Sequence, residues 1–219
     1  MRILHISDIH GNTLCLEEIL MREEYDVVVV SGDITDFGTV DEAKWILEFI
    51  YKLSGKIVMF VPGNCDPYRL LNIEFKDKPI INLHEKVYQL GKYKFVGFGG
   101  SNITPFYSEI EFSDNEIESR LREILSSIAG DPMFLVTHAP ARNTLDVVRS
   151  GRRVGSEGLR RILDDFKPLV HACGHIHESP GVMRYGTTLV VNPGPVFLKK
   201  YAIIDLTRTG VSAEVKVLR

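Results

Sequence analysis

Five short apolar runs, Ile3–Ser7, Val27–Val30, Ile57–Val61, Met133–Thr137 and Leu169–Cys173, each stop at a polar cluster. Unbroken Val- and Ile-rich runs of this length suit strands covered on both faces, and such strands need helical crossovers between them. Those crossovers are legible too. Asn12–Glu23 has helical period with Leu14, Leu16, Ile19 and Leu20 available to an inner face, and Thr39–Leu53 carries Trp45, Ile46, Phe49 and Ile50. Ser113–Ser127 opens on Ser113 with Glu116 three residues on, the pattern of a capping box, and Ser156–Phe166 reads as a further helix.

The rhythm changes in the middle of the chain. Val87–Leu90, a Gly91-Lys92 turn and Tyr93–Phe98 predict a hairpin, from which a second, more antiparallel sheet is expected. After Val182, four short strands are expected, broken at Gly186, Pro193–Pro195 and Gly210. With 219 residues and 44% hydrophobic content, one substantial core and a single domain over 1–219 are expected.

The polar clusters at the five strand ends carry the chemistry: Asp8 and His10, Asp33, Asn64, His138, and His175 with His177. Asp8 and His10 stand two apart, as do His175 and His177, and on extended backbone such pairs fall on one face. Either pair alone reads equally well as a surface pair. Asp33, Asn64 and His175, however, each follow a glycine (Gly32, Gly63, Gly174), which permits a sharp exit from a strand and close backbone approach. In open α/β sheets, ligands bind beyond the carboxyl ends of strands, so residues spread along the chain can converge there. Mixed imidazole, carboxylate and amide donors in that arrangement suit a pair of divalent transition-metal ions for phosphoryl chemistry.

These residues resemble the calcineurin-like metallophosphoesterase superfamily, specifically its small single-domain prokaryotic phosphodiesterase branch. The family pattern is Asp-x-His, Gly-Asp, Gly-Asn-His-Asp/Glu, a lone His, and Gly-His-x-His. Here it reads Asp8-Ile9-His10, Gly32-Asp33, Gly63-Asn64-Cys65-Asp66, His138 and Gly174-His175-Ile176-His177, with an Asn192-Pro193-Gly194 turn near the end. The resemblance implies an α/β fold, a four-layer αββα sandwich of two mixed sheets flanked by helices. It implies one metal on Asp8, His10, Asp33 and His177, and a second on Asp33, Asn64, His138 and His175, with Asp33 bridging. It implies hydrolysis of phosphodiester bonds by attack of a metal-bridging hydroxide on phosphorus, with Asn64 and His138 positioning the phosphate. A phosphomonoesterase or nucleotidase of the same fold is the alternative, and a non-catalytic metal-binding scaffold a further one. Manganese is the expected metal, with Fe, Ni, Co or Zn as alternatives.

One position departs from the pattern. Cys65 stands where many members have histidine, so the imidazole that would assist a poor leaving group is missing. Cys65 reads as a packing residue, a weak acid or substrate contact, or a thiolate ligand. Asp66 reads as a residue that orients a ligand or a loop. Two divalent ions offset by Asp8, Asp33 and a hydroxide leave about one positive charge, which a diester monoanion neutralises.

Between Arg142 and Arg161 stand six arginines, Arg142, Arg149, Arg152, Arg153, Arg160 and Arg161, directly after His138. One reading is a basic flap that meets the distal part of a charged substrate, chiefly through Arg142, Arg152 and Arg153. The other is a solvated loop or a subunit contact, which leaves a homo-oligomer open. His5, His84 and His171 are expected in the core or on the surface. Phe106 and Tyr107, in the long loop from Ser101 to Phe112, are candidates for a substrate wall or for packing.

The formal net charge of −3 argues against broad attraction to nucleic acid, and a small phosphoester is the expected partner. Three cysteines without CxxC spacing suggest no disulfide framework, and a reducing cytoplasm is expected. No cationic leader with a long apolar segment opens the chain and no run is long enough for a membrane span, so a soluble, unprocessed protein is expected.

Overall fold

The β-branched runs do form strands, and the order in which they join follows from the crossovers between them. A computed structural model describes residues 1–218. In chain order the elements begin with β1 (Arg2–Ile6), α1 (Thr13–Leu20), β2 (Val27–Ser31), α2 (Val40–Ser54), β3 (Ile57–Val61), β4 (Ile80–Asn82), β5 (Val87–Leu90) and β6 (Tyr93–Phe98). Next come β7 (Ser101–Asn102), β8 (Glu111–Phe112), α3 (Asp114–Ser126), β9 (Met133–Thr137), α4 (Glu157–Phe166) and β10 (Val170–Ala172). The chain closes with β11 (Gly181–Tyr185), β12 (Thr188–Asn192), β13 (Lys200–Leu206) and β14 (Val211–Val217).

Two six-stranded sheets stack face to face, in the orders β14-β13-β1-β2-β3-β4 and β11-β12-β10-β9-β6-β5. In the first, β1 to β4 are parallel and β13 and β14 are antiparallel additions. The second has the same character, and here the expectation of a more antiparallel sheet fails. Strands β12, β10, β9 and β6 run parallel, and only the hairpin partners β11 and β5 at the edges are antiparallel. The reason is that helical crossovers through α3 and α4 return the chain to the same end each time, whereas hairpins reverse it.

Alternation along the strands splits the core into three apolar layers. Leu4, Ile6, Val28 and Val30 face α1 and α2. Ile3, Val27, Val29, Phe95, Phe134 and Val136 fill the space between the sheets. Val96, Leu135 and Val190 face α3 and α4. The result is a four-layer αββα sandwich. Burying each of the large side chains Phe60, Phe95 and Phe134, all fully inside, contributes about 1.5–3 kcal/mol.

The helix ends follow local chemistry. Thr39 accepts from Glu42 N at the start of α2, and Gly55, at φ 62°, ends that helix. Ser113 and Glu116 form the capping box of α3, and Ser156 caps α4. Leu14, read as available to an inner face, lies outside, and so does Trp45 of α2. Leu14 is 77% exposed because α1 is short and turns only Leu16, Ile19 and Leu20 inward. Trp45, 57% exposed, stacks on half-buried Phe49 one turn away, at 5.4 Å between ring centroids, on the outer edge of α2.

Candidate metal centre

The five strands that read as apolar runs all end at one edge of the sandwich, and their exit loops lie against one another. The loop after β1 continues the parallel pairing with the loop after β2: Asp8 N donates to Gly32 O, His10 N to Asp33 O and Gly11 N to Ile34 O. In the second sheet Gly174 N donates to His138 O, and across the sandwich His175 N reaches the Asp8 carboxylate at 3.2 Å.

These loops are not extended. Asp8, His10, Asp33 and His175 have φ of 53°, 47°, 49° and 65°, in the left-handed region. The convergence of Asp8 with His10 and of His175 with His177 therefore does not come from alternation along a strand. Left-handed turns swing each side chain inward, at an intrinsic strain of roughly 1 kcal/mol or more per residue that the surrounding hydrogen bonds must offset. The glycines act as expected for close approach. A Cβ at Gly63 would stand 2.1 Å from Asp33 Oδ1, and one at Gly32 would stand 2.5 Å from His138 Nδ1.

All seven candidate ligands come together. Ligand atoms of Asp8, His10 and His177 lie within 4.8 Å of one another, and so do those of Asp33, His138 and His175. Asp33 joins the two groups: its Oδ2 is 3.6 Å from His10 Nε2 and 3.3 Å from His138 Nε2. His177 Nε2 lies 3.2 Å from Asp8 Oδ1. Asn64 adds its Oδ1 at 2.9 Å from His138 Nε2.

Two details test whether these donors suit a cation. Both ring nitrogens of His10 are buried without a hydrogen-bond partner. His138 Nδ1 donates to Ser31 O at 2.8 Å, so in the neutral ring Nε2 presents a lone pair to Asn64 Oδ1, another acceptor. Two acceptors at that separation need a shared positive charge between or beside them. In the protein alone a proton supplies it: burial opposes charging His138, but Asp33 and Asp8 outweigh burial and raise its pKa to about 9. Burial likewise opposes ionisation of Asp33, yet His138 and His10 hold its carboxyl well below the usual range. The donor set fits divalent cations.

Around the centre, Asp66 is fully buried and accepts from Ile34 N, Thr35 N, Thr35 Oγ1 and Gly63 N, tying the Asp33 loop to the Asn64 loop. Cys65 is half-buried, its N donates to Asp33 Oδ1 at 2.9 Å, and its Sγ lies among the ligand atoms of His10 and Asp33. Burial, with Asp33 nearby, pushes its thiol well above the ordinary range. His5, His84 and His171 are buried core residues. Burial lowers the pKa of both His5 and His171 to about 3.

The arginine segment is divided. Arg142 pairs with Glu157 at 3.1 Å and Arg153 with buried Asp146 at 2.6 Å, so both of these flap candidates hold carboxylates of the protein. Arg152, the third, is exposed and in no ion pair among the described residues.

Three supporting residues escaped the sequence reading of the site. Ser31 holds His138 through its carbonyl and His5 Nε2 through its hydroxyl. Asn192 donates to Gly174 O and Ile176 O, fastening the loop of His175 and His177. Phe197 packs against the rings of His10 and His177, with centroids 5.9 and 5.4 Å away. Only Asn192 left a signal, in the Asn-Pro-Gly turn.

A strand-end cluster of two carboxylates, four imidazoles and an amide defines a metal-binding phosphoesterase type of centre. The sequence profile of calcineurin-like phosphoesterases matches residues 1–179, and the chain belongs to that family. It is 38% identical over 218 residues to an uncharacterized protein of Methanocaldococcus jannaschii, covering 96% of this chain and 94% of that one. A Fibrobacter succinogenes protein named a probable cyclic nucleotide phosphodiesterase is 24% identical over 196 residues, 88% of this chain and 73% of its own. Among solved structures, TT1561 of Thermus thermophilus superposes with a TM-score of 0.76 at 18% identity, covering 97% of each chain. The chain is thus a metallophosphoesterase, a family that uses divalent metal ions. Among the described residues, no helix is long and apolar enough to cross a membrane.

Proposed function

We propose that the chain is a single-domain, binuclear metal-dependent phosphodiesterase acting on small phosphodiesters in the cytoplasm. The observation that carries this reading is the pair of ligand triads joined through Asp33, with His138 Nε2 and Asn64 Oδ1 2.9 Å apart beside it. Asp8, His10, Asp33 and His177 would hold one ion, and Asp33, Asn64, His138 and His175 the other. Manganese suits this donor set, as do Fe, Ni, Co and Zn. Two divalent cations there would supply an activated water and offset the charge on the phosphoryl oxygens.

The chain's own residues set the preference. Ser31 O fixes the tautomer of His138, and Cys65 N fixes the orientation of Asp33, so the donors are arranged before substrate arrives. Phe197 shields the His10 and His177 rings on one side. No imidazole stands at position 65 to protonate an alkoxide, and a thiol with a raised pKa is a poor acid there. A centre of about one positive charge matches a diester monoanion better than a monoester dianion. The name of the Fibrobacter relative agrees with diester chemistry.

Cys65→His tests the preference. The substitution is expected to raise the ratio of kcat/KM for thymidine 5′-monophosphate over bis(p-nitrophenyl) phosphate by about 100-fold, the lower end for a positioned general acid. Phosphate release and nitrophenolate absorbance, measured on both proteins with Mn²⁺, give the ratio. An unchanged ratio would remove Cys65 from the account of specificity.

A further inference from the structure

The arginine-rich segment after His138 folds into a braced hairpin rather than a loose flap. Arg142 N donates to Ser156 O and Ser156 N to Pro140 O at its base, and Val154 N donates to Asp146 O further out. Val148 N donates to Arg152 O, and Gly151, at φ 80°, closes the tip turn back on Val148 O. Buried Asp146 stiffens the interior by accepting from Asn143 N, Gly155 N and Arg153 Nη1. Ser179, two residues after His177, accepts from Val147 N and donates to Val147 O. The hairpin is therefore fixed to the His138 and His177 segments of the metal centre.

Charge is distributed unevenly along it. Arg142, Arg153, Arg160 and Arg161 each pair with a carboxylate. Arg149 and Arg152, on either side of the Ser150-Gly151 tip, are exposed and make no ion pair among the described residues. Two like charges in one turn repel weakly in solvent, and a bound anion bridging both guanidinium groups would reverse that sign. A second loop joins this hairpin. Asn102 Nδ2 donates to Val154 O, and Ile110 N donates to Asn64 O, so the loop of residues 103–109 is tied at one end to the hairpin and at the other to a candidate ligand. Glu111 clamps that loop by accepting from Thr104 and Ser108, and at its tip Phe106 and Tyr107 are 84% and 90% exposed. Exposed aromatics on a loop tied to a hairpin that carries unmatched arginines offer the two chemistries that recognise a nucleotide, stacking for its base and cations for its phosphate.

We infer that Arg149 and Arg152 form a subsite for a second phosphate of the substrate, and that Phe106 and Tyr107 stack the base carried on the same sugar. The substrate class is a small nucleotide diester with an additional phosphate. This assignment rests on the phosphodiesterase reading of the centre. Only two unmatched cations stand here in a chain of net charge −3, which suits a short ligand rather than a long strand.

The test compares thymidine 3′,5′-bisphosphate with thymidine 5′-monophosphate, by calorimetry on the full Mn²⁺-loaded chain. Wild type is expected to bind the bisphosphate about tenfold tighter or more. Arg149→Ala/Arg152→Ala should abolish that difference with the monophosphate Kd unchanged, and Arg149→Glu/Arg152→Glu should invert it. Phe106→Ala/Tyr107→Ala should weaken both ligands by about tenfold. Equal affinities in wild type, or equal losses of both ligands in the arginine variants, overturn the phosphate subsite. Unchanged affinities in the aromatic variant overturn the stacking assignment. Hydrolysis of bis(p-nitrophenyl) phosphate is read in parallel, so an inactive wild type counts against the phosphodiesterase reading while the binding ratio still decides the subsite. Circular dichroism of each variant, all changed at exposed side chains, confirms the fold.

Discussion

Replacing Asp33 with alanine is expected to reduce diester hydrolysis by at least about a thousandfold. The magnitude follows from where its two oxygens go. Oδ1 is held by Cys65 N, which leaves Oδ2 between His10 Nε2 and His138 Nε2, the meeting point of both ligand groups. Removing the side chain deprives both groups of their shared carboxylate and leaves two imidazoles facing a buried void. The buried carboxylates nearby are committed elsewhere: Asp8 is engaged by His177 and His175 N, and Asp66 by four donors of the neighbouring loops. Initial rates on bis(p-nitrophenyl) phosphate with saturating Mn²⁺ check this. A variant retaining a tenth of wild-type activity would show that Asp33 is not the bridge.

Gly174→Ala is expected to damage both stability and metal binding while leaving every candidate ligand residue in the sequence. The backbone at Gly174 does not have positive φ, so alanine meets no conformational penalty there. The conflict is steric. A Cβ would stand 1.8 Å from Ser7 Oγ and 2.7 Å from Asp8 Oδ2, in a fully buried region. Either Ser7 leaves its hydrogen bond to Ser31 O or the loop of His175 moves off Asp8. Overpacking of this kind costs about 3 kcal/mol or more, which for a chain of this size lowers Tm by about 6–12 °C. Thermal melts of the metal-free protein measure the stability part. An unchanged Tm would mean that the two sheets can separate at this edge, contrary to the packing described.

Much of the fold was legible because parallel strands buried on both faces spell themselves as unbroken Val and Ile runs, and because Thr39, Ser113 and Ser156 mark helix starts by local chemistry. The candidate ligands were legible for a different reason: their residue types, order and preceding glycines repeat at successive strand ends. Their geometry was not. Alternation on an extended chain suggested how Asp8 and His10 share a face, whereas the backbone reaches the same outcome through left-handed turns that only the neighbouring loops stabilise. Arginine partners were also out of reach, since Asp146, Glu157 and Glu118 meet Arg153, Arg142 and Arg161 through contacts that a charge count along the chain does not contain. Ser31 acts on His138 through a carbonyl, which every residue has, so no side-chain pattern announced it. Leu14 shows the limit of periodicity in a short helix, where one misplaced position changes the assigned face.

The central claim is that one chain holds two divalent ions through a shared Asp33 and needs them for diester hydrolysis. The most direct measurement is a titration of chelator-stripped protein with Mn²⁺, following bound metal by calorimetry and bis(p-nitrophenyl) phosphate hydrolysis in the same samples. The expected result is about two ions per chain, with hydrolysis appearing as the second is bound. Full hydrolysis in the stripped protein, or saturation at a single ion with full activity, would contradict it.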